Sequence, residues 1–214
     1  MRPSSQQRPA SASPGQMAEI LDLTRQPDTE RVVRHAARLV REGKLVAAPT
    51  ETVYGLLANA DLPAAVERLG RVKGRAEDRP YTYLISDAAV PEAEGAEVSP
   101  TARRLIERFW PGPLTVVLRV GDGWRGFRMP DHALCREIVR AAGCRVAAPS
   151  ANRSGSAEPT TAQDVVREVG ALIELILDGG PCRIGRPSTV VRIDGHRREV
   201  LREGAIARAE VERG

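Results

Sequence analysis

The sequence predicts a single α/β domain: a twisted sheet of mixed parallel and antiparallel strands with helices packed on it. Three observations predict it. Segments of helical periodicity alternate with short apolar runs of strand length, but without the strict βαβ repeat of a doubly wound fold. Hydrophobic residues make up 42% of the 214 residues and aromatics only 3%, so a sizeable core must be built from Val, Leu, Ile and Ala. Clusters of polar residues adjoin several of the apolar runs, and strand ends are where open α/β sheets bind ligands.

The elements follow in order. Residues 1–17 are rich in Ser, Pro, Gln and Ala, lack the apolar stretch of a signal peptide, and read as a disordered leader to a domain spanning 18–214. From Asp28, a fair N-cap, Val32, Val33, Ala36, Ala37, Leu39 and Val40 form the apolar stripe of a helix that ends at Gly43. Residues 45–48 are a short buried strand. Residues 62–72 are a helix with Lys73 and Arg75 just past its end. Strand 81–85, helix 100–109 and the clear strand 114–120 come next, with 126–129 beside the last. Helix 132–142 precedes strand 145–148. Thr161 caps a helix over 161–169, and strands at 173–177, 189–193 and 199–201 complete the sheet.

Bulk properties exclude several classes. The net charge of +4, from 32 basic and 28 acidic residues, comes without a long Lys/Arg run, so a mixed solvated surface is expected. Cys135, Cys144 and Cys182 are odd in number and widely spaced, which gives neither a disulfide framework nor a zinc pattern and fits the cytosol. His35, His132 and His196 are equally scattered. No apolar run approaches the length of a membrane span.

The polar motifs carry the chemistry. Lys73-Gly74-Arg75 pairs a point charge with a guanidinium fork suited to phosphate, although two cations at a helix end also solvate it. Ser150-Ala151-Asn152 opens a long hydroxyl-rich loop through Ser154, Thr160 and Thr161, and long loops in compact domains are commonly functional. Trp110 reads as a structural corner before a strand whose Thr115 can face a ligand. The stretch from Asp178 to Gly185 is Gly-rich and matches no standard phosphate loop, though its amides could hold an anion. No Ser-His-Asp or Cys-His arrangement can be argued from spacing. Cations, hydroxyls and an amide together suit a nucleotide with a small polar co-substrate.

Taken in order, these segments resemble the YrdC-like domain family, the threonylcarbamoyl-AMP synthases. The resemblance rests on Pro49-Thr50-Glu51-Thr52-Val53-Tyr54-Gly55, Lys73-Gly74-Arg75, Phe109 through Thr115, Arg128-Met129-Pro130, Pro149 through Gly155, Asp178 through Cys182, Ser188 through Val191, and Leu201 through Ile206. It implies the short single-domain form, a concave basic cavity, and synthesis of L-threonylcarbamoyl-AMP from L-threonine, bicarbonate and ATP with release of pyrophosphate. That product serves the threonylcarbamoyl-adenosine modification of tRNA through a downstream transferase complex. The resemblance implies a catalytic set of Lys73, Arg75, Ser150 and Asn152. It implies threonine contacts from Thr52, Arg119, Ser150 and Ser188, ATP contacts from Arg75, Thr115, Asn152, Thr160 and Arg202, and magnesium carried with ATP. The sequence departs from the family pattern at Leu57, Arg79, Leu84 and Pro187, which bears on the amino-acid end of the site. Three rival readings stay open: a non-catalytic RNA-binding module of the same fold, a paralogue with another substrate, and a carbamoyl-transfer domain detached from a larger protein.

Overall fold

Ten strands pair into one sheet in the computed structural model, which describes residues 17–25, 28–74 and 80–213. The expected leader falls, up to Gln16, outside the described residues, as do Arg75 and Arg79. In chain order the elements are β1 (Glu19–Asp22), α1 (Thr29–Arg41), β2 (Val46–Ala48), β3 (Gly55–Asn59), α2 (Pro63–Lys73), β4 (Thr82–Leu84), α3 (Val90–Ala93), α4 (Pro100–Phe109), β5 (Leu114–Val120) and β6 (Gly123–Arg128). They continue with α5 (Ala133–Ala142), β7 (Val146–Ala147), α6 (Ala162–Val169), β8 (Leu175–Asp178), β9 (Thr189–Asp194), β10 (Arg197–Arg202) and α7 (Arg208–Arg213). The spatial order is β1-β8-β2-β3-β7-β4-β6-β5-β9-β10. Neighbours β1/β8, β8/β2, β4/β6 and β5/β9 run parallel and the other pairs antiparallel, as a mixed sheet was expected to.

The two halves of the sheet are built differently, and this places the site. In the β2-β3-β7-β8 half, Val46, Ala48, Leu57, Val146 and Leu175 pack on one side with residues of α1 and α5. On the other side Ala47, Leu56, Ala58, Ala147 and Ile176 pack with residues of α2 and α6. Strands buried on both faces read as unbroken apolar runs. In the β5-β6-β9 half only one face is so covered: Leu114, Val116, Leu118, Phe127 and Val191 meet Ala102, Leu105 and Ile106 of α4. Alternation along β5 therefore turns Thr115, Val117 and Arg119 toward the opposite, partly solvated face.

Several expectations need correction. The pattern does not announce β3, because a five-residue run buried at every position has no period to read, and it follows directly on a polar motif. The edge strand β1, at four residues shorter still, pairs in parallel with β8, far along the chain. Two short helices, α3 and α7, were also absent from the expected elements. Lys73 is the last residue of α2 rather than beyond it. Gly74 serves as the C-cap at φ 60°, with nothing within 4 Å of where a Cβ would lie, so its role is the left-handed turn rather than close approach. The caps read from sequence are present: Asp28 accepts from the Arg31 amide, and Thr161 forms a reciprocal capping box with Asp164. Trp110 is the structural corner expected, donating its indole N–H to the Leu114 carbonyl at 2.7 Å.

The end of the chain is tied back by one buried hydroxyl. Thr189 Oγ1 donates to the Ile206 carbonyl at 2.6 Å and accepts from the Gly204 and Ile206 amides at 2.9 and 3.0 Å. Thr189→Val keeps the shape and removes all three bonds. It should destabilise the fold by about 2–3 kcal/mol, since buried backbone groups lose their partners. A chemical-denaturation midpoint unchanged from wild type would refute this anchoring role.

Candidate active site

A cavity of about 730 Å³ opens where the two halves of the sheet meet. Its walls come from the β2–β3 turn and the start of β3, the end of α2, and β4 with the segment before it. The loop after β7 and the facing residues Thr115, Arg128, Ser188, Val190 and Arg202 close it.

The loop after β7 is held in place from three directions. Gly55 and Ser150 form a bridge, the Leu56 amide donates to the Pro149 carbonyl at 2.8 Å, and the Ala151 amide donates to the Tyr54 carbonyl at 2.9 Å. Lys73 does the rest from the end of α2. Its Nζ donates to the Ser150 carbonyl at 2.6 Å, the Asn152 carbonyl at 2.5 Å and Asn152 Oδ1 at 3.0 Å. Asn152 Oδ1 also accepts from Ser150 Oγ at 2.7 Å, while its Nδ2 donates to the Ser156 carbonyl at 2.8 Å. Lys73 is only 4% exposed. The reading of Lys73 as a cation that merely solvates a helix end is therefore wrong. The ammonium knots the loop to the helix, and its positive charge sits buried at the cavity wall.

The opposite wall is a hydroxyl pair backed by a cation. Thr115 Oγ1 and Ser188 Oγ lie 2.8 Å apart, both nearly buried. Arg202 Nη2 donates to the Ser188 carbonyl at 2.9 Å and, at 3.3 Å, to Ser188 Oγ. Nη1 of Arg202 stands 3.7 Å from a Glu158 carboxylate oxygen across the cavity mouth.

Of the residues expected in the site, Lys73, Ser150, Asn152, Thr115, Ser188 and Arg202 line this one cavity. Thr52, Thr160 and Arg119 do not. Thr52 is fully buried; its hydroxyl accepts from Arg128 Nη2 at 2.8 Å and shares a bond with Thr50 Oγ1. Thr160 is turned to Asp164, whose carboxyl is held down to about 2 chiefly by its hydrogen bond with Thr161. Arg119 stacks on Trp124 with its guanidinium carbon 4.7 Å from the ring centre. Arg75 lies outside the described residues. The Gly-rich stretch after β8 offers little to an anion, because the Gly179, Gly180, Cys182 and Ile184 amides already donate to Tyr54 Oη, Asp178 Oδ1, Thr160 O and Glu51 O. Thr50, Tyr54, Glu158 and Arg128 are cavity residues to which the sequence assigned no role; Thr50, Tyr54 and Arg128 stood inside quoted motifs, but only the pairing of β6 with β5 turns Arg128 inward.

Burial pushes the Cys182 thiol up to about 11 and the Cys135 thiol to about 12, so neither is ionised at neutral pH. Among the described residues no group of three or more His, Cys, Asp or Glu is placed to hold a metal ion. No helix among them is long and apolar enough to cross a membrane.

Comparison with known proteins fits this geometry. A family model described as "Sua5_yciO_yrdC: Telomere recombination" matches residues 38–204. The chain belongs to the Sua5/YciO/YrdC family. Among curated members, a threonylcarbamoyl-AMP synthase of Bacillus subtilis is 39% identical over 205 residues, covering 90% of this chain and 59% of that protein. A putative threonylcarbamoyl-AMP synthase of Mycobacterium tuberculosis is 33% identical over 201 residues, covering 89% of this chain and 92% of that one. The crystal structure of Pyrococcus abyssi Sua5 complexed with L-threonine superposes with a TM-score of 0.85 at 40% identity, covering 92% of this chain and 60% of that one. The chain thus spans about three fifths of the length of the first and third of these relatives. The mixed single sheet with flanking helices is the Sua5/YrdC fold, as the sequence led us to expect.

Proposed function

We propose that the chain synthesises L-threonylcarbamoyl-AMP from L-threonine, bicarbonate and ATP. One observation carries the reading: a single polar cavity unites a buried ammonium, a guanidinium and a hydroxyl pair, in a family whose curated relatives bear that activity in their names. In the proposed sequence the threonine amine attacks the carbon of bicarbonate, water leaves, and a carbamate forms. A carbamate oxygen then attacks the α-phosphorus of ATP, and pyrophosphate departs. The Asn152 loop, the Thr115–Ser188 hydroxyls and Arg202 orient the reactants, and alignment of that kind supplies much of such a barrier. Lys73 acts by holding the loop and by its buried charge, and Arg75 is assigned the second cation for the phosphates. ATP would enter as its magnesium complex, the ion's ligands being phosphate oxygens and water, since no group of three or more His, Cys, Asp or Glu among the described residues is placed to hold it. The product would pass to a tRNA threonylcarbamoyl transferase, and RNA binding belongs to the same proposal.

The test is to incubate the purified chain with ATP, L-threonine, bicarbonate and magnesium, and to detect threonylcarbamoyl-AMP by mass. Salt-sensitive RNA binding with no such product would favour the non-catalytic module. Amino-acid choice is a second check. A site that hydrogen-bonds a hydroxyl leaves its own groups unpaired when the hydroxyl is missing. Pyrophosphate release should therefore be much faster with L-threonine than with L-valine, and L-serine should fall between, having lost only a methyl contact. Leu84, buried at the cavity floor, sets how far serine competes. Equal rates with threonine and valine would point to a paralogue with another substrate.

A further inference from the structure

A second groove, of about 520 Å³, lies at the outer edge of the sheet between β1 and α1. Glu19 and Leu21 wall it on one side, and Arg31, Arg34, Arg38 and Arg41 on the other, one arginine to each turn of the helix. Four guanidinium groups thus face a single carboxylate, and that carboxylate is engaged, with Glu19 Oε2 3.1 Å from His35 Nε2. Arg34 pairs with Glu30 and Arg38 with Glu42, but these are exposed pairs of the kind that hold little free energy. Arg31 and Arg41 make no ion pair among the described residues.

The strand beside the groove is open on its outer side. Among the described residues β1 is the outermost strand and pairs only with β8. The Glu19 and Leu23 amides donate inward, to the Glu174 and Asp178 carbonyls, both at 2.9 Å. Alternate residues turn their main-chain groups to opposite edges, so the Ile20 and Asp22 amides and the Ile20 carbonyl face outward. Side chains alternate between faces as well. Glu19 and Leu21 lie in the groove, while Ile20 stands on the other face, 51% exposed. Met17, just before β1, is 56% exposed, so two of the five large hydrophobic residues left exposed fall at this edge. Pairing with a second copy is opposed by charge, because it would set Glu19 and Asp22 against themselves.

We infer that this edge is a docking surface for an extended segment of another protein, in which acidic residues alternate with apolar ones. The segment adds to β1 as a further strand, its main chain bonding the outward groups of Ile20 and Asp22. Its acidic side chains turn to the arginines of α1, and its apolar side chains meet Ile20 on the other face. The dimensions agree: Arg31 and Arg41 are about 15 Å apart along the helix, and three alternate residues of an extended strand span about 14 Å. Residues 1–16 of this chain do not suit the role, because they carry Arg2 and Arg8 and no Asp or Glu. RNA would meet the arginines but leave the open amides and Ile20 unused. The inference is independent of the synthase reading, and no residue lines both this groove and the catalytic cavity.

The experiment uses the full chain and a fluorescent peptide of alternating Glu and Val. The peptide should bind, and binding should weaken as salt rises. Replacing its Glu by Gln should cost at least about tenfold in affinity, the scale of one lost charge-assisted hydrogen bond. Ile20→Pro removes an outward amide and spares the side of β1 that faces β8, and it should cost about as much, with Ile20→Val close to wild type. The double variant Arg31→Gln, Arg41→Gln should lose affinity and its salt dependence together. Neither variant touches the cavity, so both should release pyrophosphate like wild type, and failed docking is read apart from failed synthesis. If Ile20→Pro does not fold, wild type decides with two peptides N-methylated on alternate residues. One should bind and the other should not, because only one edge of the added strand meets β1. Absence of binding, equal binding of the Glu and Gln peptides, or equal binding of the two methylated peptides overturns the proposal. So does an Ile20 amide already protected from solvent exchange without peptide, since the edge is then filled by the chain itself. An oligoribonucleotide that binds more tightly than the peptide, and loses that affinity in the double arginine variant, makes the occupant nucleic acid and also overturns it.

Discussion

Lys73→Ala is expected to abolish most adenylate formation and to lower the melting temperature in the same variant. The side chain's three donor contacts end on two backbone carbonyls and one side-chain amide oxygen, and truncation strips all three of a charged partner. Carbonyls left buried without a donor cost about 1–3 kcal/mol each, so a net loss near 3 kcal/mol is expected. In a domain of this size that corresponds to roughly 6–12 °C. Pyrophosphate release should fall by at least about 100-fold, because the Ser150–Asn152 loop loses its position and the site loses a preorganised charge. Lys73→Met separates the two effects, restoring much of the packing without the charge or the donors. If Lys73→Ala melts like wild type, the ammonium does not hold the loop. If it also turns over normally, the site is misplaced.

Gly204→Ala should be nearly as damaging, although it adds only a methyl group. A Cβ at Gly204 would lie 2.3 Å from the Pro187 carbonyl oxygen and 2.6 Å from Ser188 C and O. These are backbone atoms just before β9 and cannot swing away as the end of a side chain would. Relief requires the segment after β10 to part from Ser188, which strains the bond from the Ala205 amide to the Pro187 carbonyl, 2.8 Å, and the hold of Arg202 on Ser188. Overpacking of this kind costs about 1–3 kcal/mol. The variant should lose substrate affinity along with stability, since the hydroxyl pair at the cavity wall moves with Ser188. Gly195→Ala is the control. Gly195 sits in the β9–β10 turn at φ 57° with nothing within 4 Å of its missing Cβ, so only backbone strain of about 1 kcal/mol should appear, with catalysis intact. Equal KM values in Gly204→Ala and wild type would show that Ser188 tolerates the displacement.

Some of the molecule was legible in residue order alone. Helix α1 was readable because its apolar stripe repeats at helical spacing and Asp28 caps it. Strand β5 was readable because β-branched and apolar residues fill a run bounded by Pro113 and Gly121. Six of the residues expected to act together, Lys73, Ser150, Asn152, Thr115, Ser188 and Arg202, do line one cavity. Strand β3 was not readable, because burial on both faces erases the alternation that would mark a strand.

The sequence by itself determined the fold class, the family and the polar segments that meet in the cavity, because these depend on local periodicity and on motifs kept in order along the chain. Tertiary structure alone decided the roles. It made Lys73 a buried knot rather than a solvated cation, since its acceptors lie 77 and 79 residues away. It sealed Thr52 beneath Arg128, and it set Arg128, with Glu51 behind it, opposite Thr115. Such choices depend on strand register and on which face of the sheet the helices leave uncovered, and both are fixed by pairings between residues distant in sequence.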